Sequence, residues 1–155
     1  KGGGGVAGGG RAGDFDDVLM QLKGGIEGNI DAEEFQAHYE RGGAFKEMGL
    51  LDEAIDELQK ALRAPENRLR TSEALGVAFF EKGQFAIAEA ILRRAVESLG
   101  ATDDEQIGLI YWLGRSAEAL GKNAAAVPCY QRILAVDIGF QDVGARMAKL
   151  AAEGA

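Results

Sequence analysis

The sequence predicts an all-α fold: a solenoid of three helix-turn-helix units with a capping helix at each end. Three observations predict it. A short block bounded by glycines recurs three times. No run alternates apolar and polar residues between turn signals, as a half-buried strand would. Helix-start signatures stand directly before apolar residues at helical spacing.

The first 13 residues are mostly glycine, with Val6 and two alanines. Residues 1–13 therefore read as a flexible linker or a tag remnant. Gly3, Gly5 and Gly8 fit the dinucleotide pattern G-x-G-x-x-G, as do Gly8, Gly10 and Gly13. A glycine tract fits that pattern by chance, and no strand precedes it as phosphate binding there requires. Over residues 14–28, Phe15, Val18, Leu19, Leu22 and Ile26 recur on one helical face, an amphipathic N-terminal helix. Gly24 and Gly25 weaken it by about 1 kcal/mol each. Gly28-Asn29 supplies a stop, and Asp31 with Glu34 forms a capping box that opens the next helix.

The repeat follows. Gly42 to Gly49, Gly76 to Gly83 and Gly114 to Gly121 are equal blocks with glycine at both ends. Each is followed, at the same distance, by an alanine: Ala54, Ala88 and Ala126. Further on come Ala61, Ala95 and Ile133. Gly49 and Gly83 lie 34 positions apart and Gly83 and Gly121 lie 38 apart, so the second junction carries extra residues around Leu99 to Asp104. Glycine in mid-helix costs stability. Keeping it implies that the following helix crosses there, with the alanine answering from the other side. The second glycine supplies the positive φ that ends a helix in a tight turn. Thr102 with Glu105 is a further capping box before the apolar run Ile107 to Leu113.

A 34-residue helix-turn-helix with small residues at these places resembles the tetratricopeptide repeat. Gly42, Gly76 and Gly114 match its position eight. Ala54, Ala88 and Ala126 match position twenty, Phe45 and Phe79 the aromatic position eleven, and Tyr130 position twenty-four. The resemblance implies one right-handed α-solenoid domain over 14–155, with repeats at 32–65, 66–100 and 101–138. Residues 139–152 form a C-terminal capping helix whose apolar face is Phe140, Val143, Met147 and Leu150. Two residues depart from the pattern. Arg41 stands where the family has leucine, and Pro128 lies inside a helix that it is expected to bend or open.

Charge and composition narrow the function. The formal net charge is -8, against nucleic acid or an anionic membrane surface as partner. The longest apolar run is too short to span a bilayer, so no membrane insertion is expected. One cysteine, Cys129, allows no internal disulfide and no thiolate metal site, and fits a reducing cytoplasm. The chain opens on Lys1 rather than Met, as a piece of a longer protein would. His38 is the only histidine; it has no second histidine for a metal site and falls at a packing position. Cys129 has no activating base near it in sequence. Carboxylates such as Asp52, Glu53, Asp56 and Glu57 read as a solvated helix face. No catalytic residue, metal site or cofactor is therefore expected, and no enzyme.

What remains is a surface. In the family that the repeats resemble, the first helix of each unit lines a concave groove that receives a peptide or helical segment of another protein. The resemblance assigns to that groove Gln36, Tyr39, Gly43 and Lys46; then Arg70, Glu73, Val77 and Phe80; then Gly108, Tyr111, Trp112 and Arg115. Aromatic and arginine anchors are the usual hot spots of interfaces. Chaperone-binding relatives grip a C-terminal carboxylate with lysines and asparagines. Tyr39, Gly43 and Glu73 stand at three of those places here, so no such grip is expected. The alternative function is self-association, a homodimer through repeat or cap surfaces.

Overall fold

The structure, a computed structural model, describes residues 30–154. The glycine tract and the helix expected over 14–28 lie outside the described residues. Seven helices and no strand make up the described part: α1 Ala32–Glu47, α2 Leu51–Ala61, α3 Arg68–Glu81, α4 Phe85–Ser98, α5 Ile107–Ala119, α6 Asn123–Val136 and α7 Val143–Gly154. Successive helices pack on one another, and α3 also packs on α5. The result is an all-α helical-repeat solenoid.

Local chemistry sets the helix starts. The Asp31 carboxylate accepts from the Glu34 N–H at 2.8 Å, and the Glu34 carboxylate accepts from the Asp31 N–H at 3.3 Å, so the capping box closes in both directions. Thr102 and Glu105 make the same reciprocal pair, at 2.9 and 3.3 Å. That pair closes a turn just ahead of α5, which begins at Ile107. The added stretch is tied down by Arg132 of α6, whose Nη2 and Nε donate to Asp103 at 2.6 and 3.2 Å.

The three hairpin corners are copies of one device. Gly49, Gly83 and Gly121 take φ of 79°, 82° and 78°. Gly49 N–H donates to the Lys46 carbonyl and Leu50 N–H to the Phe45 carbonyl, both at 2.9 Å. The same two bonds recur at Gly83 with Gln84 and at Gly121 with Lys122. This is the Schellman pattern, which satisfies the last carbonyls of the first helix. Leu50, Gln84 and Lys122 then offer their carbonyls to Ala54, Ala88 and Ala126. One residue thus closes one helix and opens the next.

Between the helices of each pair the contact is close. Ala54, Ala88 and Ala126 are fully buried, as are Ala61, Ala95 and Ile133. The residue that crowds the mid-helix glycine, however, is not chiefly the alanine. A Cβ on Gly42 would stand 2.8 Å from Leu58 Cγ, one on Gly76 2.5 Å from Leu92 Cγ, and one on Gly114 2.7 Å from Tyr130 Cε1. The large side chain one turn beyond each alanine fills the space that the glycine vacates. The alanine lets the backbones approach, and the knob seated in the gap is Leu58, Leu92 or Tyr130.

The two departures do not break the solenoid. Pro128 is exposed, and α6 runs unbroken through it, so the expected opening is absent. A proline ring that faces solvent leaves the carbonyl it deprives of a partner within reach of water. Arg41 is exposed on α1; its Nε lies 3.1 Å from Glu57 of α2, whose Oε1 is also 2.7 Å from His38 Nδ1. Desolvation pushes the Glu57 carboxyl up, but His38, Arg41 and Lys60 together carry it below its ordinary value. His38, expected at a packing position, is half-buried and belongs to this cluster.

The last helix begins at Val143, after a corner where Gln141 takes φ of 46°. Val143 and Leu150 are buried, and Phe140 and Met147 pack against the same core. Polar bonds complete the seat. Arg146 donates to Glu118 of α5 at 3.1 Å, and the Tyr111 hydroxyl of α5 donates to Asp142 at 2.6 Å. Tyr130 of α6 also donates to Glu118, at 2.7 Å. Burial and that carboxylate push the Tyr130 hydroxyl well above its ordinary value, so it stays a donor.

Candidate partner-binding groove

The first helices of the three pairs, α1, α3 and α5, line a cleft of about 460 Å³. Of the ten side chains that the sequence assigns to a groove, six meet there: Tyr39, Lys46, Arg70, Glu73, Val77 and Trp112. Gly42 and Leu58 complete its floor, and Gly43 lies at its edge. That floor is the close approach of α1 and α2 described above.

The cations of this cleft are already seated. The Arg70 guanidinium lies 4.6 Å from the Tyr39 ring centroid and 5.9 Å from that of Phe35. Those two rings stack at 5.4 Å. Lys46 reaches Glu81 of α3 at 3.5 Å, a partly exposed pair of the kind worth about 0–1 kcal/mol. Glu73 differs. Its carboxylate is half-buried against the backbone of Gly108, where an added Cβ would stand 2.6 Å from Glu73 Cδ. No hydrogen bond or ion pair reaches it from the described residues, and desolvation holds its carboxyl above the ordinary value.

Trp112 joins the cleft to a second group of rings. It meets Phe80 of α3 edge to face at 5.2 Å and Tyr111 at 5.2 Å. The Arg115 guanidinium lies 5.2 Å from the centroids of both Phe80 and Trp112. Phe80 and Arg115 themselves border a separate hollow of about 330 Å³ toward α7, together with Glu118, Arg146 and Lys149. The sequence-assigned set is thus divided between two neighbouring hollows.

Tyr111 stands apart among the ten. Only 4% of it is exposed, and its hydroxyl is held between Asp142 and the Arg115 guanidinium, which donates to it at 2.9 Å. Desolvation raises the Asp142 carboxyl, yet Tyr111 and Arg146 bring it below its ordinary value. The capping corner has therefore taken Tyr111 into the core, and a partner cannot touch it there. Gln36 also turns aside, donating to Glu40 at 2.7 Å. Sequence reasoning missed the use of Gly108 as the wall behind Glu73. The signal was available, since glycine in the first turn of an apolar helix has no local reason to be there.

Cys129 is buried, and burial pushes its thiol up, away from thiolate chemistry. Among the described residues no group of three or more metal-ligating side chains comes together, and no helix is long and apolar enough to cross a membrane.

The fold and the groove together define an α-helical repeat domain with a concave surface between its first helices. The chain carries a tetratricopeptide-repeat domain: residues 35–68 and 109–136 each match a family model described as Tetratricopeptide repeat. No curated protein sequence matches the chain. Among solved structures, it resembles the first TPR of Spaghetti (RPAP3) bound to the HSP90 peptide SRMEEVD. That match has 22% identity and a TM-score of 0.72, covering 81% of this chain and 96% of that one. It also resembles MamA, at 23% identity and a TM-score of 0.59, covering 87% of this chain and 76% of that one. Likeness at such identities speaks for the fold.

Proposed function

We propose that this chain is a protein-interaction module whose α1–α3–α5 cleft receives a peptide or helical segment of another protein. The observation that carries the reading is the meeting of Tyr39, Arg70, Val77 and Trp112 from three separate repeats in one open cleft. Rings held by their neighbours, with an arginine lying on one of them, offer large contact area at little entropic cost. The peptide-bound state of the Spaghetti domain supports the reading by fold alone. The carboxylate grip is not part of it, since Glu73 and Tyr39 stand where that grip needs donors.

The test is capture of partner proteins and peptides by the wild-type chain against a variant with Arg70→Ala and Trp112→Ala. Tyr111 is left intact, because its loss would disturb the seat of α7. Capture that survives in a folded double variant would remove the cleft as the site.

A further inference from the structure

Glu73 is the half-buried charged group of the cleft that no counter-ion reaches from the described residues. It projects from the middle of α3 into the cleft lined by Tyr39 and Trp112. The cations of the cleft are engaged elsewhere: Lys46 with Glu81, and Arg70 on the face of Tyr39. Gly108 gives the carboxylate room that any side chain there would take. A half-buried carboxylate with no partner costs stability, and a cation delivered to it would recover that cost.

We infer that Glu73 is the subsite for a lysine or arginine side chain of the bound segment, so that the partner of this groove is a basic peptide. The inference rests on the groove reading above and narrows it. The Tyr39 and Trp112 rings flank the cleft and can cover the apolar stem of such a side chain. The net charge of -8 draws basic segments toward the surface. Arg70, seated over the Tyr39 ring, and Lys46, paired with Glu81, are the groups that an acidic segment would have to use instead.

The probe is a display library of random dodecapeptides, panned on the full chain and on Glu73→Gln, with helicity checked by circular dichroism. The wild type is expected to select peptides sharing a lysine or arginine at one fixed position, and Glu73→Gln to lose that preference while still selecting peptides. Replacing the shared arginine of a selected peptide by citrulline, its neutral isostere, should weaken binding to the wild type about tenfold. This second readout stands even if Glu73→Gln does not fold. Selected peptides with no basic position, with an acidic one, or with full tolerance of citrulline overturn the inference while leaving the groove in place. Failure of the wild type to select any peptide overturns both.

Discussion

The ring of Tyr130 occupies the space that a side chain on Gly114 would need, its Cε1 lying 2.7 Å from where that Cβ would stand. Leu92 stands to Gly76, and Leu58 to Gly42, in the same relation. The repeat is therefore written as pairs, a missing side chain on one helix and a large one on the next.

Gly76→Ala and Gly114→Ala should each destabilise the domain. Alanine gains about 1 kcal/mol of helix propensity over glycine, but forcing a methyl group into a filled core costs about 1–3 kcal/mol. Gly144 of α7 has nothing within 4 Å of its would-be Cβ. There the propensity term stands alone, and Gly144→Ala should gain up to about 1 kcal/mol. Chemical denaturation of the three variants reads the opposite signs directly. Equal shifts in the same direction would sink the packing account.

Tyr111→Phe tests whether that residue belongs to the cap or to the partner. Loss of the hydroxyl leaves Asp142 and Arg115 without the partner they share, at a cost of about 1–2 kcal/mol. Hydrogen exchange should speed up in α7 first, while peptide affinity holds. A large fall in affinity with α7 still protected would return Tyr111 to the groove.

The sequence shows the repeat frame because each of its signals is local: a glycine with positive φ, a capping box, an apolar face. It shows most of the groove for the same reason, since Tyr39, Arg70, Glu73 and Trp112 lie on the first helices that the frame identifies. The fate of Tyr111 was hidden because its captor, Asp142, comes 31 residues later from the capping corner. The isolation of Glu73 was hidden too, since it depends on where the neighbouring cations settle. Arg41 looked like a defect only because Glu57 and His38, which it joins, are brought to it by α2 and by the turn of its own helix.

Glu73→Gln should change stability in a pH-dependent way. Burial raises the carboxyl in the folded chain above its ordinary value of 4.5. The stability tied to this group is then fully present below that ordinary value and is lost as pH rises through the higher folded value. Glutamine carries no charge to bury, so the variant should melt higher than the wild type at neutral pH. The gap should close in acid. A variant less stable than the wild type at neutral pH would mean that Glu73 has a favourable partner within the chain.

The peptide SRMEEVD, seen on the Spaghetti domain, should not saturate this groove in a calorimetric titration, and amidation of its C-terminus should change nothing. Saturable binding lost on amidation would show that a carboxylate grip exists despite Tyr39, Gly43 and Glu73.

The central claim is that a partner segment lies in the cleft of α1, α3 and α5. It is tested most directly by the calorimetric affinity of one selected peptide for the wild type and for the Arg70→Ala, Trp112→Ala variant, both checked for equal helicity. Removing two anchors of this kind should weaken binding about a hundredfold or more. Equal affinity for the two folded chains would place the partner elsewhere on the solenoid.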